Sequence, residues 1–389
     1  MLIKLKRTDF GRTGAGIATI KIAVAAAALF LALTGAVWAE SGWTVFRGNP
    51  AETGVAGSKL TEKPELLWTF EAKGAVESTA AISGGTVFVG NEKGVLFAID
   101  AKTGKEKWRF TAAGEIKAAP AVGGGRVYFG DGTGVFYALD AAKGQKVWSF
   151  AAEQQIISSA NLADSAVLVG SYDRFLYCLN TADGKMKWKF ETNAQVHCSP
   201  CVTEGQAVIA GCDGLLRFIK IADGAQKAQT DLGSNIAATP AASGGRIFVA
   251  TYNGRMLCVE EMTAKVAWDI SGGESMSFYA SPAVSGDWVY FAGRDNLVRC
   301  LSTADGHERW RFQAKGVVDS SPVVVGKRLF FGSSAGNLYA VALEDGKKVW
   351  EFPAGSAITA SPAVAEGILV IGSADGAIYC FGEKGKSSP

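Results

Sequence analysis

The sequence predicts an all-β fold, an eight-bladed β-propeller whose ring is closed by an N-terminal strand. The first observation is a periodic tryptophan, found at Trp68, Trp108, Trp148, Trp188, Trp268, Trp310 and Trp350. The steps between these positions are 40, 40, 40, 80, 42 and 40 residues, and Ala228 occupies the place that the long step leaves open. A period of about 40 residues is typical of a four-stranded propeller blade, so we expect eight blades.

The second observation is the pattern inside each repeat. One repeat predicts four strands, at Ile116–Val122, Arg126–Gly130, Val135–Asp140 and Lys146–Phe150. Glycines mark the turns between them, because positive φ costs a glycine little. Proline recurs in the first strand of six repeats, at Pro120, Pro200, Pro240, Pro282, Pro322 and Pro362. Proline cannot donate to a sheet ladder and belongs on an edge strand, which predicts that the first strand lines the central channel.

The third observation concerns the two ends of the repeat array. The last repeat ends near Phe381 without a fourth strand, and an orphan strand at Leu66–Phe70 precedes the first repeat. Pairing Leu66–Phe70 with Ala377–Phe381 would close the ring and cover an apolar strand edge. The predicted organisation is an N-terminal extension over residues 40–65, the propeller over 66–382 and a flexible tail over 383–389.

The N-terminus predicts a signal peptide over residues 1–39. A basic stretch precedes an uncharged run from Ile22 to Ala39, which ends in the small-residue pattern Val37-Trp38-Ala39. This pattern is typical of a cleaved export signal and predicts a periplasmic or secreted protein. The alternative is an inner-membrane anchor formed by residues 22–39, since about 18 residues is the lower limit for a spanning helix. No cysteine lies near the cleavage site, so we expect no lipid attachment.

The charge of the chain argues against nucleic-acid binding. The formal net charge is +2, and the first 39 residues carry five basic groups and one acidic group, so subtracting their +4 leaves −2. Nucleic-acid binding needs a concentrated basic surface. We therefore expect no nucleic-acid partner, and contact with a membrane only through an uncleaved N-terminal segment. A monomer is expected.

The segment Ala98-Ile-Asp100-Ala-Lys-Thr103-Gly104-Lys-Glu-Lys-Trp108 resembles the tryptophan-docking motif of quinoprotein (pyrroloquinoline quinone) propellers. Weaker copies end at Trp148, Trp188, Trp310 and Trp350. The resemblance implies that each tryptophan lies flat between adjacent blades, with its indole N–H free to find a partner. Small residues on the third strand would leave room for the ring. The four cysteines in this column are therefore predicted to be buried small residues, namely Cys178, Cys258, Cys300 and Cys380.

The quinoprotein dehydrogenases of this resemblance bind the quinone with calcium, use a catalytic carboxylate and carry a disulfide between adjacent cysteines. This chain has no Cys-Cys pair and lacks their long active-site insertions. Its two histidines, His197 and His307, accompany no nucleophile-elbow motif. We therefore expect no catalytic residue, no metal and no cofactor, and keep a quinone-dependent oxidoreductase with calcium as an alternative.

One cluster departs from the repeat, His197-Cys198-Ser199-Pro200-Cys201 followed by Cys212. A hairpin turn near Gly205 would place Cys198 opposite Cys212 within about one residue. In an oxidising compartment this pair could form a disulfide. Two free thiols, a redox pair and a zinc site with His197 are the alternatives. Strand geometry disfavours zinc, because Cys198 and Cys201 would point to opposite faces.

The loops of one propeller face predict a partner site. The loop between strands two and three opens on the same face as the segment that joins consecutive blades. Aromatic and arginine residues concentrate there in blades three to six, at Tyr172, His197, Tyr252, Tyr279 and Arg294, together with the insertion 271–277. Tyrosine and arginine most often anchor interfaces. We expect Tyr172, Tyr252, Tyr279 and Arg294 to dock a partner beside His197, the alternative being ordinary loop residues.

The non-enzymatic propellers of this resemblance suggest the function. They are the BamB-like scaffolds of outer-membrane β-barrel assembly, and the resemblance implies an exported scaffold that binds an envelope protein. A small-molecule, glycan or quinone binder is the alternative, since a fold alone does not choose between such functions.

Overall fold

The computed structural model describes residues 42–271 and 277–385. The predicted signal peptide or anchor, the centre of the insertion 271–277 and residues 386–389 of the tail lie outside these ranges. No helix within them is long and apolar enough to cross a bilayer.

The described chain forms eight four-stranded antiparallel sheets arranged as the blades of a propeller. The predicted all-β, eight-bladed fold is therefore confirmed. We number the blades one to eight in chain order, starting from the sheet that contains Ala81, and the strands β1 to β32 in chain order. The innermost strands of neighbouring blades lie side by side around the central channel.

The strands of each blade occupy equivalent positions in every repeat. The innermost strands are β2 (Ala81–Ser83), β6 (Ala121–Gly123), β10 (Asn161–Ala163), β14 (Cys201–Thr203), β18 (Ala241–Ser243), β22 (Ala283–Ser285), β26 (Val323–Val325) and β30 (Ala363–Ala365). The second strands are β3 (Thr86–Gly90), β7 (Arg126–Gly130), β11 (Ala166–Gly170), β15 (Gln206–Ala210), β19 (Arg246–Ala250), β23 (Trp288–Ala292), β27 (Arg328–Gly332) and β31 (Ile368–Gly372).

The third and outer strands complete each sheet. The third strands are β4 (Val95–Asp100), β8 (Val135–Asp140), β12 (Phe175–Asn180), β16 (Leu215–Lys220), β20 (Arg255–Glu260), β24 (Leu297–Ser302), β28 (Asn337–Ala342) and β32 (Ala377–Gly382). The outer strands are β5 (Glu106–Thr111), β9 (Lys146–Ala151), β13 (Met186–Glu191), β17 (Gln226–Asp231), β21 (Val266–Ser271), β25 (Glu308–Gln313), β29 (Lys348–Pro353) and β1 (Glu65–Glu71).

Burial along the strands follows from the packing of blade on blade. The middle strands, such as β11 and the centre of β12, are buried on both faces because a neighbouring blade covers each side. The outer strand β5 alternates between exposed and partly buried residues, as expected for a strand with one solvated face. The hydrophobic cores therefore lie between the blades.

The first strand of each blade is shorter than the sequence suggested. We predicted a strand over Ile116–Val122, but strand pairing begins at Ala121. Pro120 has no N–H to give to the sheet. The N–H of Ala119 donates to Ser159 Oγ of the following blade at 2.9 Å. The residues before the proline therefore join neighbouring blades and do not extend the sheet.

The N-terminal strand closes the ring as predicted. Strand β1 pairs antiparallel with β32, with Leu66 opposite Phe381 and Phe70 opposite Ile378. Blade eight therefore combines three strands from the C-terminal end of the propeller with one strand from its N-terminal end. The edge that β32 would otherwise expose is fully paired.

The periodic tryptophans join adjacent blades by a repeated hydrogen bond. Six indole N–H groups donate to a backbone carbonyl of the next blade at 2.8–3.0 Å, from Trp68 to Ala101, Trp108 to Ala141, Trp148 to Thr181, Trp188 to Ile221, Trp268 to Thr303 and Trp310 to Leu343. Trp350 packs edge-on against Phe381 of blade eight. The four cysteines of the third-strand column, Cys178, Cys258, Cys300 and Cys380, are all buried directly opposite a tryptophan, as expected of small residues.

Residues 42–56, which we call the collar, run past the innermost strands of the ring. Carbonyl groups of the collar accept hydrogen bonds from Ile82, Val122, Val202, Ala242, Val284 and Val324, one in each of six blades. The collar contains a 3-10 turn at Phe46–Gly48. Arg47 and Glu52 are completely buried in it, and Arg47 Nη2 donates to the carbonyls of Pro282 and Pro322. Desolvation lowers the pKa of Arg47 and raises that of Glu52, while their mutual attraction opposes both shifts.

Candidate functional site

The two predicted sets of loop residues lie on one face of the ring. The backbone N–H of Tyr172 donates to Gln155 O, that of Tyr252 to Asn235 O, and that of Arg294 to Ser277 O, at 2.8–3.1 Å. The equivalent bond occurs in the other five blades, from Glu92, Gly132, Cys212, Ser334 and Ala374. Each acceptor lies in the segment that joins two blades, two residues before the residue of that segment that lines the channel. The loop between strands two and three is therefore fixed beside this segment. We call this side of the ring the mouth face.

In each blade, the segment that leads into the innermost strand supplies one residue to the mouth of the channel. These mouth positions are Glu77, Lys117, Ile157, His197, Ala237, Tyr279, Asp319 and Thr359. They surround a cavity of about 170 Å³, and Phe46 of the collar also lines it. Because the collar binds the inner strands of six blades, it holds Phe46 within the channel as part of the cavity wall.

A ring of hydroxyl side chains lies two residues after the mouth positions of seven blades. It was not predicted from the sequence. Its members are Thr79, Ser159, Ser199, Thr239, Ser281, Ser321 and Ser361, and we call it the hydroxyl ring. Each oxygen accepts a backbone N–H from the preceding blade at 2.9–3.2 Å. Ala119 takes the eighth place and offers no hydroxyl. The available signal was a Ser or Thr directly before proline in five repeats.

Tyr172 and His197 form one of two side-chain clusters on the mouth face. Tyr172 Oη lies 2.7 Å from His197 Nδ1 and joins the strand two–three loop of blade three to the mouth of blade four. Burial raises the pKa of Tyr172 to about 12 and lowers the pKa of His197. Both shifts favour a neutral pair, in which the tyrosine stays protonated and the imidazole stays uncharged.

Tyr252, Tyr279, Arg294 and Asp319 form the second cluster, across blades five to seven. The rings of Tyr252 and Tyr279 meet edge to face with centroids 5.7 Å apart. The Arg294 guanidinium lies 3.8 Å from the centroid of the Tyr279 ring. Arg294 also donates from Nε and Nη2 to the two carboxylate oxygens of Asp319, each at 2.9 Å. This geometry holds the arginine in place by stacking and by a bidentate ion pair at once.

The two clusters do not form one continuous arc. Cys212 of blade four and Ala237 of blade five hold the equivalent positions between them, and both side chains are small. The structure thus brings Tyr252, Tyr279 and Arg294 into direct contact and pairs Tyr172 separately with His197. Tyr252 is 50% exposed, which is unusual among the large apolar side chains of the ring.

The predicted disulfide between Cys198 and Cys212 is not formed, and both cysteines are free thiols. Cys198 precedes β14, and its Sγ donates to Ala238 O at 3.1 Å. Ser78 and Ser158 make the same bond from the equivalent place in their own blades. Cys198 therefore replaces a serine that bridges two blades, and its side chain is directed to blade five. Cys212 lies in the loop after β15.

The thiols and carboxylates of this region are poorly suited to nucleophilic or metal chemistry. Burial raises the pKa of Cys198, Cys201 and Cys212 above the ordinary thiol value, which leaves little reactive thiolate. Within residues 42–271 and 277–385, no three His, Cys, Asp or Glu side chains are grouped to hold a metal ion. Asp319 is already bound by Arg294. The donor set does not fit a calcium-bound quinone, and we derive no catalytic step through one.

The sequence and the fold can both be compared with known proteins. A family profile described as outer membrane protein assembly factor BamB matches residues 58–165, 152–231 and 213–387. Together these overlapping matches span the entire propeller. The chain belongs to this family. No curated protein sequence matches it.

Solved structures with a similar fold include proteins of different functions. BamB from Moraxella catarrhalis superposes with a TM-score of 0.71 at 17% identity, covering 83% of this chain and 99% of that chain. The computationally designed Ika8 protein gives 0.73 at 16% identity, covering 82% and 100%. Quinohemoprotein alcohol dehydrogenase from Comamonas testosteroni gives 0.74 at 15% identity, covering 89% and 81%. An assembly factor, a designed protein and an enzyme share this fold, so function must be argued from the site.

Proposed function

We propose that this BamB-family propeller is an exported, non-enzymatic scaffold that binds a protein partner of the cell envelope on its mouth face. The cluster of Tyr252, Tyr279, Arg294 and Asp319 carries the proposal. Its ion pair and ring contacts fix the side chains before binding, so little conformational entropy would be lost on docking. Tyrosine and arginine dominate interface hot spots because each combines a large area with a polar tip.

The family and the N-terminus support the same proposal. The family is described as that of an outer membrane protein assembly factor. We propose that the partner of this chain is a protein of that assembly process. The basic stretch and the apolar run of residues 1–39 supply the export that such a role requires. Anchoring by residues 22–39 would place the same face in the same compartment.

Site-specific photo-crosslinking tests the proposal. A photoreactive phenylalanine analogue at position 252 should yield a discrete crosslinked product in intact cells. Met262, 90% exposed on the opposite face in the loop between β20 and β21, is the matched control and should yield none. Changing Arg294 and Tyr279 to Ala should remove the product at 252 without lowering the melting temperature. Equal crosslinking at 252 and 262 would overturn the assignment of the mouth face.

An enzymatic role has its own test. The chain should show no dye reduction with primary alcohols after incubation with pyrroloquinoline quinone and calcium. Turnover that disappears when the quinone is omitted would instead favour the oxidoreductase alternative.

A further inference from the structure

The hydroxyl ring has hydrogen-bonding capacity that the protein does not use. Each of the seven oxygens accepts one backbone N–H, but none of the seven hydroxyls donates to a protein acceptor among the described residues. All seven side chains are at most 6% exposed and line the cavity. Accepting an N–H polarises a hydroxyl and makes it a better donor. The ring therefore surrounds the cavity with donors that need acceptors.

The charges at the mouth favour a neutral occupant. Asp319 is neutralised by its two bonds to Arg294. Glu77 and Lys117 carry opposite charges on adjacent blades, and neither forms an ion pair within the described part of the chain. Burial also favours uncharged imidazole at His197. The cavity thus offers donors from its hydroxyl ring and one free carboxylate acceptor, with no net charge to attract an anion.

The size and the wall of the cavity set the scale of the occupant. A volume of about 170 Å³ would hold roughly five or six water molecules. Phe46 contributes an aromatic surface and Tyr279 a second one at the mouth. Ligand sites combine such apolar surfaces with a few convergent polar groups. A compact molecule that has apolar C–H faces and hydroxyls around its edge matches this arrangement.

We propose that the channel binds a neutral polyhydroxylated molecule of monosaccharide size, which stacks on Phe46 and accepts hydrogen bonds from the hydroxyl ring. A free sugar and the terminal sugar of a longer glycan share this chemistry. Since the cavity has a volume of about 170 Å³, we expect it to hold only one sugar unit.

Ligand-observed NMR and calorimetry on the full chain test this proposal. The probes are glucose, myo-inositol and maltotriose, with citrate and phosphate as anionic comparisons. We expect saturable binding of at least one neutral probe and none of the anions. Binding of maltotriose with magnetisation transfer confined to one terminal unit would indicate a glycan end, whereas binding of glucose or inositol alone would indicate a free ligand.

Three variants connect the binding to the hydroxyl ring. The double change Ser199→Ala and Ser321→Ala should weaken binding at least about tenfold, through loss of two neutral hydrogen bonds. Ala119→Ser completes the ring and should strengthen binding about fivefold. Ser165→Ala, an exposed serine on the opposite face, should change nothing.

Two results would overturn the proposal. If no neutral probe binds, or if only citrate or phosphate binds, the cavity is not a polyol site. If neutral probes bind equally to wild type, to the double alanine variant and to Ala119→Ser, the hydroxyl ring holds water alone. Neither result affects crosslinking at position 252, which depends on the outer cluster, so this failure is distinguishable from failure of the proposed function.

Discussion

Thr230 Oγ1 donates a 2.6 Å hydrogen bond to the carbonyl oxygen of Ala264, across the interface between blades four and five. At six other interfaces a tryptophan indole bridges the blades. Here Ala228 stands in the tryptophan position, and Ala264 stands where the other repeats carry glycine. At Gly144, an added Cβ would lie 2.6 Å from the Trp108 ring. The missing ring at 228 therefore explains why a Cβ is tolerated at 264.

The first prediction tests this coupling. Ala228→Trp alone should lower the free energy of unfolding by about 1–3 kcal/mol, because the new ring meets the Ala264 Cβ in a packed interface. Ala264 has a φ of 54°, which glycine adopts without strain. The double variant Ala228→Trp and Ala264→Gly should therefore be at least as stable as the wild type. Urea denaturation of both variants and of Ala264→Gly measures this, and a fully tolerated single tryptophan would contradict it.

The second prediction concerns ring closure. Deleting residues 40–72 removes β1 and exposes the apolar edge of β32, a template for aggregation. We expect an aggregated product or loss of cooperative unfolding. Deleting residues 40–56 removes the collar and keeps β1, so this control should remain a soluble ring. Light scattering and thermal unfolding compare the two. A soluble and equally stable product of the longer deletion would show that closure by β1 is dispensable.

The third prediction concerns pH. Burial lowers the pKa of His197 in the folded chain, so the unfolded chain binds more protons as the pH falls through the ordinary histidine range near 6.5. The contribution of uncharged His197 to the free energy of unfolding is therefore complete above about pH 6.5 and is lost progressively below it. His197→Gln should flatten the decrease in unfolding free energy between pH 7.5 and 5.5. His307→Gln, in an exposed turn, is the control, and identical pH profiles for both variants would refute the assignment.

The fourth prediction concerns the thiol between blades four and five. Cys198→Ser should change the free energy of unfolding by less than about 1 kcal/mol, since serine makes this same bond in blades one and three. Mass mapping of non-reduced peptides should find Cys198 and Cys212 unpaired. A disulfide-linked peptide, together with a loss above about 2 kcal/mol in Cys198→Ser, would restore the paired interpretation.

The repeat made most of the fold predictable. Blade number, closure by Leu66–Phe70 and the opening of both loop sets on one face all follow from a period that recurs throughout the chain. The strand before Pro120 was predicted too long, because its donors bind a neighbouring blade some 40 residues away, which local pattern does not reveal. Cys198 was misassigned for the same reason: hairpin arithmetic placed it opposite Cys212, whereas its true partner is Ala238.

The collar and the pairing of the mouth side chains were beyond the reach of the pattern. The collar has no counterpart in the repeats, and its hydrogen bonds join residues up to 275 positions apart, as from Arg47 to Pro322. Tyr279 and Arg294 could be placed on the mouth face by alignment of the blades. Their stacking and the ion pair to Asp319 depend on which rotamers the neighbouring blades permit. A local sequence pattern does not specify these rotamers.

The collar also constrains the order of events during synthesis. Residues 42–56 are made before any blade, but their partners extend to Val324 of blade seven, and β1 must await β32 of blade eight. The contacts that complete the collar and the ring therefore close very long loops, and such closures are slow. A nascent chain that lacks its last blades can complete neither the collar nor the ring. We expect the ring to stay open until translation ends, and an open chain would be compatible with the export that we propose.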